Sequence, residues 1–504
     1  MLEIDGRKLT LEEVERVARG REKDIRLSEE AGESIDASRR VVERSLLDGE
    51  RIYGVTTGFG RLSEVLIPAP RRLEVQVNLI RSHSSGFGMP LGREVSRAVI
   101  LLRANSLARG NSGVRRDIVE LLLAFLQAGI DPLIPEFGSV GASGDLAPLA
   151  QVARCLMGEG LVHGEVGPEP TDAALKRAGL QPVQVREKEG LALINGTQAT
   201  SGLGVLSLLR AESALETAEL AGAMSLEALR GTPTPFDERV HAARPHPGQQ
   251  TSAACLRSLL ADSEIRESHR YGDPRVHDAY SLRCMPQVHG AARDVLGFVR
   301  RVLEIEINSS TDNPLVFADG DILSAGNFHA QLIAEALDFL TIAVTDLASI
   351  SQQRIERLLN PDLSGLPPFL ARDPGVESGF MIAQVAAVDV LAEMRVLAHP
   401  ASVDSVTTSA NKEDHVSMGM AAARKAWRAV ACLQYVLAVE LMCAAQALEF
   451  LKPLTPGAGV LKGYELVREH VAPLEGDRVL TDDIEQLRRL VDDGAPRDLV
   501  LQFH

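Results

Sequence analysis

Long stretches of helical apolar spacing constrain this chain more than any other feature. They run at about 203–230, 284–307, 329–360, 376–397 and 415–451, and a period near 3.6 marks helices that bury at least one face. A helix of about 25 residues spans roughly 38 Å, more than the core of one compact subunit requires. Such lengths predict bundling between subunits. Shorter helices are also marked. Thr10 and Glu13 form a capping box before a helix that stops at Gly20. Residues 114–127 place Ile118, Leu121, Leu122, Phe125 and Leu126 on one face before the breakers Gly129 and Pro132. Strand signals are few: 315–318 and 321–323 flank the turn pair Asp319-Gly320, and 184–188 suggests a short extended piece. The reading is a mainly α protein with few short strands. A long central helical bundle occupies 111–504, and a smaller N-terminal globular part occupies 1–110.

Composition removes several function classes. At 504 residues the chain can bury a large core. Its 69 Asp and Glu outnumber 53 Lys and Arg, for a net charge of −16, and no dense basic run interrupts that balance. A nucleic-acid partner is therefore not expected. Five scattered cysteines (Cys155, Cys255, Cys284, Cys432 and Cys443) contain no CxxC pair, as in a reduced cytoplasmic protein. The first twenty residues lack the apolar core of a signal peptide. The most apolar run, 432–451, contains Gln434, Glu440, Gln446 and Glu449, which suits a buried bundle helix and no membrane span.

The chemistry concentrates in GSVGASGDLAPLA, residues 138–150. Ala142-Ser143-Gly144 places a dehydratable hydroxyl between two small residues. Gly144 has no side chain to keep its nitrogen from the Ala142 carbonyl carbon. A helix is expected over 146–156 with Asp145 as N-cap, and a helix N-terminus suits negative charge. Other polar islands interrupt the helical patterns. Tyr53 to Gly60 (YGVTTGFG) is glycine-rich but lacks the Lys of a phosphate-binding loop. Asn195 precedes the 203–230 helix. Tyr280 and Arg283 share a face at helical spacing, and an arginine can clamp a carboxylate through two parallel hydrogen bonds. His241 and His246 are five apart, and no HExxH occurs, so no catalytic metal is expected.

Taken in order over roughly residues 3–500, these segments resemble the histidine and phenylalanine ammonia-lyase family. The resemblance implies that Ala142, Ser143 and Gly144 cyclise and dehydrate into a 4-methylidene-imidazol-5-one electrophile, with no external cofactor. It implies that Tyr53 is the base on a mobile inner loop, with Gly60 at the substrate. It places Asn195 against the prosthetic group and the substrate, Arg283 on the substrate carboxylate and Tyr280 at the reacting centre. Phe328, in Asn327-Phe328-His329, would support the ring electrophile. It further implies a homotetramer whose sites draw on three subunits. Segments 311–314 and 354–357 also match the family and are read as structural.

Substrate choice rests on Ser82-His83 and Glu413. Phenylalanine- and tyrosine-specific relatives typically show Phe-Leu or His-Leu at 82–83, whereas Ser-His looks like the histidine enzymes. A carboxylate suits an imidazole, which can donate N–H, whereas the phenylalanine enzymes resemble this stretch with Gln at 413. Two departures stand: His277 and Lys412 occupy positions where histidine enzymes usually carry Gln. The implied reaction converts L-histidine to trans-urocanate and ammonia, the first step of histidine degradation. The alternatives are a tyrosine or phenylalanine ammonia-lyase or 2,3-aminomutase and, more remotely, a catalytically silent helical scaffold. The helical fumarase-like lyases share long helices, but their GSSxMPxKxN segment is absent.

Overall fold

The computed structural model describes all residues, 1–504. It contains 21 α-helices, and its strands form only four two-stranded sheets. The core must therefore be helix packed on helix, and the protein is mainly α as expected. The capping box forms: Thr10 Oγ1 accepts from Glu13 N at 3.2 Å, and Glu13 Oε2 accepts from Thr10 N at 2.9 Å. It starts the helix Leu11–Ala18, whose Leu11, Val14, Val17 and Ala18 are buried. The expected hairpin also forms, pairing Leu315–Val316 with Ile322–Leu323.

The long patterns become Gln198–Ala228, Met285–Glu306, Gln331–Leu359, Met381–Leu397 and Gly419–Glu449. Gln198–Ala228 starts five residues before the expected 203. Gly202 and Gly204 lie inside it because helices pack closely there: a Cβ on Gly204 would stand 3.2–3.4 Å from Leu337 and Leu303. Met381–Leu397 starts later than the expected 376. The Glu377 carboxylate accepts from Arg372 N and Asp373 N at 3.0 and 3.1 Å, which holds the preceding residues in a turn. Residues 184–188 form no strand. They lead irregularly, through Lys188 at φ 76, into the helix Glu189–Ile194. Gly419–Glu449 is long and apolar enough to cross a membrane, yet 89% of its most apolar window is buried inside the protein.

The chain divides into two compact units. One comprises Met1–Leu206, Arg300–Asp338 and Pro400–Arg424; the other comprises Ser207–Val299, Phe339–His399 and Lys425–His504. In the first, Leu2–Ile4 pairs in parallel with Ile25–Leu27. Helix Arg93–Ala108 is buried from Val95 to Ala108, leaving no polar face toward solvent.

The second unit holds a buried ionic network. Glu440 is fully buried and accepts from Arg354 Nε and Nη2, from Ser225 Oγ at 2.8 Å, and from Ser351 Oγ. Glu219 accepts from Ser252 and pairs with His289. Removing one partner of such a pair strands a charge in the interior, at a cost of about 3–5 kcal/mol, whereas replacing both with apolar residues costs far less. Glu440→Leu is expected to lower the thermal unfolding temperature sharply. The double variant with Arg354→Met should recover most of the loss, a non-additivity that unfolding scans of the three variants would measure.

Candidate active site

In the first unit, a cavity of about 600 Å³ is lined by residues from widely separated segments, among them Tyr53, Gly60, His83, Ser143, Asn195, Phe328 and Glu413. Seven of the twelve residues expected at the site thus share one wall. Ala142 and Gly144 flank Ser143 in the chain and are themselves buried.

The Ala142–Gly144 loop is held from both sides. Gly144, at φ 75, pairs with Gly196 as in a parallel bridge, and Asp145 N donates to the Gly196 carbonyl at 2.6 Å. A Cβ on residue 144 would collide with that carbonyl, so only glycine fits. On the other side, Met418 N donates to Val140 O at 2.8 Å, and Ser417 Oγ donates to Gly141 O at 3.1 Å. Three helices begin around this loop: Leu146–Leu156, Gln198–Ala228 and Gly419–Glu449. Each N-terminus favours negative charge nearby by about 0.3–1 kcal/mol.

Asp145 occupies the N-cap position of Leu146–Leu156, but its side chain does not cap that helix. It instead caps another helix start. Its oxygens accept from Thr200 N at 2.7 Å, Thr200 Oγ1 at 2.9 Å and Ser139 Oγ at 2.9 Å. Burial raises its carboxyl above the usual range, against these donors.

Ser143 Oγ donates to Glu413 Oε1 at 2.8 Å, and Thr408 Oγ1 donates to Glu413 Oε2 at 2.7 Å. The loop carrying Glu413 is strained: Ser409, Ala410 and Asn411 have φ of 50, 50 and 69. Such non-glycine conformations cost about 1–3 kcal/mol each and persist where surroundings enforce them. Lys412 within the same loop is exposed.

His83 closes another part of the wall. Its Nδ1 lies 2.9 Å from Leu79 O, and a carbonyl only accepts, so Nδ1 carries the proton. Burial pulls the imidazole below its usual range, opposed by Leu79 O and the Glu413 charge. The neutral ring then presents Nε2 as an acceptor. Asn195 is 2% exposed. Its Nδ2 donates to Asn313 O at 3.0 Å, while Oδ1 is buried without a partner. Asn313 itself lines the cavity, although 311–314 reads in the sequence as purely structural. The Tyr53 phenol oxygen accepts from Gly60 N at 3.0 Å, and its ring meets Phe59 edge-on. Thr56 and Thr57 tie the same loop together by accepting from Ile52 N at 2.7 Å and Gly54 N at 3.1 Å.

Tyr280, Arg283 and His277 belong to the second unit and are not among the cavity-lining residues. Tyr280 is 70% exposed. The Arg283 guanidinium lies 4.7 Å from the Tyr280 ring centroid, and its Nε is buried without a partner. His277 Nδ1 lies 3.2 Å from Asp278 O. Both His241 ring nitrogens are engaged, with Pro235 O and Gln249. Ligand atoms of Glu216, Cys255 and His504 lie within 4.8 Å of one another, but Arg293 already occupies the Glu216 carboxylate through two hydrogen bonds.

A half-buried hydroxyl set among helix N-termini, with a phenol, an amide and a carboxylate facing one cavity, fits a class of carbon–nitrogen lyase. The chain belongs to the aromatic amino acid lyase family, whose model matches residues 9–469. It is 53% identical over 501 residues to a histidine ammonia-lyase of Anaeromyxobacter dehalogenans strain 2CP-C, covering 98% of each chain. Among solved structures it resembles histidine ammonia-lyase from Trypanosoma cruzi, with 42% identity, TM-score 0.92, and coverage of 100% of this chain and 95% of that one. It also resembles tyrosine aminomutase from Streptomyces globisporus, with 40% identity, TM-score 0.94, and coverage of 99% and 98%. The backbone alone therefore does not choose between elimination and amine migration.

Proposed function

We propose that this protein eliminates ammonia from L-histidine without oxidation, giving trans-urocanate, and that its electrophile is a methylidene-imidazolone made from Ala142-Ser143-Gly144. The observation that carries this reading is the placement of the Ser143 hydroxyl in one cavity with the Glu413 carboxylate, His83 Nε2, the unpartnered Asn195 Oδ1 and the Tyr53 phenol. The residues present fit the prosthetic group: Gly144 sits where a Cβ cannot, and the loop is surrounded by helix N-termini. Once formed, the group supplies an electrophilic carbon that makes the substrate's poor leaving group easier to expel.

The side chains supply the rest. Asn195 Oδ1 accepts from the substrate amine, which satisfies the one buried acceptor lacking a partner. Glu413 and His83 Nε2 present acceptors toward the ring, a pattern that matches the two N–H groups of an imidazolium, or one N–H of a neutral imidazole at a time, and leaves a benzene ring without bonds to make. Phe328 packs on the reacting centre. Tyr53 takes the β-proton, supported on its oxygen by Gly60 N–H. Arg283 would hold the carboxylate and Tyr280 would complete the reacting centre, with His277 beside them. We assign these three to a neighbouring subunit of a homotetramer in the cytoplasm. The apolar exposed residues Ile382, Val385 and Val396 on Met381–Leu397 support assembly. Sedimentation should show an active oligomer; a fully active monomer would overturn the shared site.

Substrate choice is tested by comparing urocanate, cinnamate and coumarate formation by wild type, Glu413→Gln and His83→Leu. Losing a charge-assisted bond to the ring is expected to lower kcat/KM for histidine about ten- to a hundredfold. Cinnamate formation should not fall in parallel. A wild type that prefers tyrosine or phenylalanine defeats the reading, and a β-amino acid among the products points instead to an aminomutase.

A further inference from the structure

Behind the Asn195 wall lies a buried cation. Arg103, on helix Arg93–Ala108, is fully buried. Its Nη1 donates to the Asn195 carbonyl at 2.8 Å and to Gln198 Oε1 at 2.9 Å. Gln198 is oriented in turn, since its Nε2 donates to Thr311 Oγ1 at 2.8 Å. The turn above this fork is tightly fitted. A Cβ on Gly196, at φ 155, would stand 2.6 Å from Arg103 Nη1 and 2.9 Å from Thr311 Oγ1. The Gly196 carbonyl takes the Asp145 N–H and presses on Gly144 from the other side. One guanidinium therefore fixes the Asn195–Gly196 turn, and that turn fixes the bend at Gly144.

The interior keeps this cation at a cost. Burial pulls Arg103 down to about 10, partly opposed by Asp312, which is itself paired with the fully buried Lys188 at 2.6 Å. Arg103 Nε and Nη2 find no partner, and each such buried donor is unfavourable. An apolar side chain would fill the same space without those penalties.

We propose that Arg103 is a positioning residue that holds the Asn195–Gly196 turn so that the Gly144 nitrogen closes onto the Ala142 carbonyl carbon. This rests on the reading that Ala142-Ser143-Gly144 forms the electrophile. In closure, the Gly144 nitrogen bonds to the Ala142 carbonyl carbon. The carbonyl oxygen leaves as water with the Gly144 and Ser143 amide protons. Ser143 then loses Oγ and its Cα proton as a second water. No oxidant or reductant takes part. Arg103 touches none of these atoms and acts through the Asn195 and Gly196 peptides.

The test follows intact mass with time after synthesis, together with the near-ultraviolet absorbance of the conjugated ring. Wild type should lose two waters. Arg103→Gln should lose them about ten- to a hundredfold more slowly while unfolding cooperatively. Arg103→Lys keeps the charge but shortens the reach of the single nitrogen that makes both bonds, and should fall between the two. A folded Arg103→Gln that loses both waters as fast as wild type overturns the proposal. If Arg103→Gln does not fold, Gln198→Leu removes the group that orients the fork; slowed loss supports the proposal and wild-type loss overturns it. A wild type that retains both waters defeats the electrophile reading itself, a different outcome from either variant result.

Discussion

Ser143→Ala is expected to abolish turnover, with a loss on the order of 10⁴-fold or more, the scale seen when a covalent catalytic group is removed. The hydroxyl is the only source of the methylidene carbon, and alanine has nothing to eliminate. The fold should survive. The bond from Ser143 Oγ to Glu413 Oε1 is already gone in wild type once Oγ leaves as water, so the variant forfeits no side-chain contact that the mature protein keeps. Glu413 keeps its bond from Thr408 Oγ1. Intact mass separates the causes of inactivity: wild type should lack two waters, whereas the alanine variant can lose at most one. A variant with near wild-type rate would sink the whole catalytic reading.

What the sequence reveals and what it hides divide along range of interaction. The Thr10–Glu13 capping box, the hairpin at Asp319-Gly320 and the long helical periods depend on neighbours within a turn or two, and each is present. Helix starts were less legible. The helix expected from 203 begins at Gln198, because Gly202 and Gly204 serve close packing there rather than a break. Asp145 reads as a cap for the helix that follows it, yet its partner is Thr200, 55 residues away. The cavity gathers Tyr53, Gly60, Ser143 and Asn195, which lie on short polar or glycine-rich islands between apolar runs, with His83, Phe328 and Glu413, which only the family resemblance points to. The groups behind them were silent. Arg103 sits in an apolar stretch, ILLRANSLA, where periodicity shows only that the helix is buried. The left-handed run at Ser409, Ala410 and Asn411 has no glycine to signal it.

Tyr53→Phe should lower kcat about 10²- to 10⁴-fold, the usual contribution of a positioned general base, while changing substrate binding little. The substitution keeps the ring and its edge-on contact with Phe59 and removes only the oxygen that accepts from Gly60 N. The loop around it has independent ties through Thr56, Thr57 and the Gln76 bond to Gly54 O, so its path should persist. The variant should still lose two waters, because the phenol plays no part in closing Ala142–Gly144. That outcome places the defect after the electrophile, where Ser143→Ala places it before. Substrate should then accumulate bound without release of urocanate, visible as a kcat loss with a nearly constant dissociation constant. If Tyr53→Phe retains wild-type kcat, the base lies elsewhere, and Tyr280 on the second unit becomes the first residue to test.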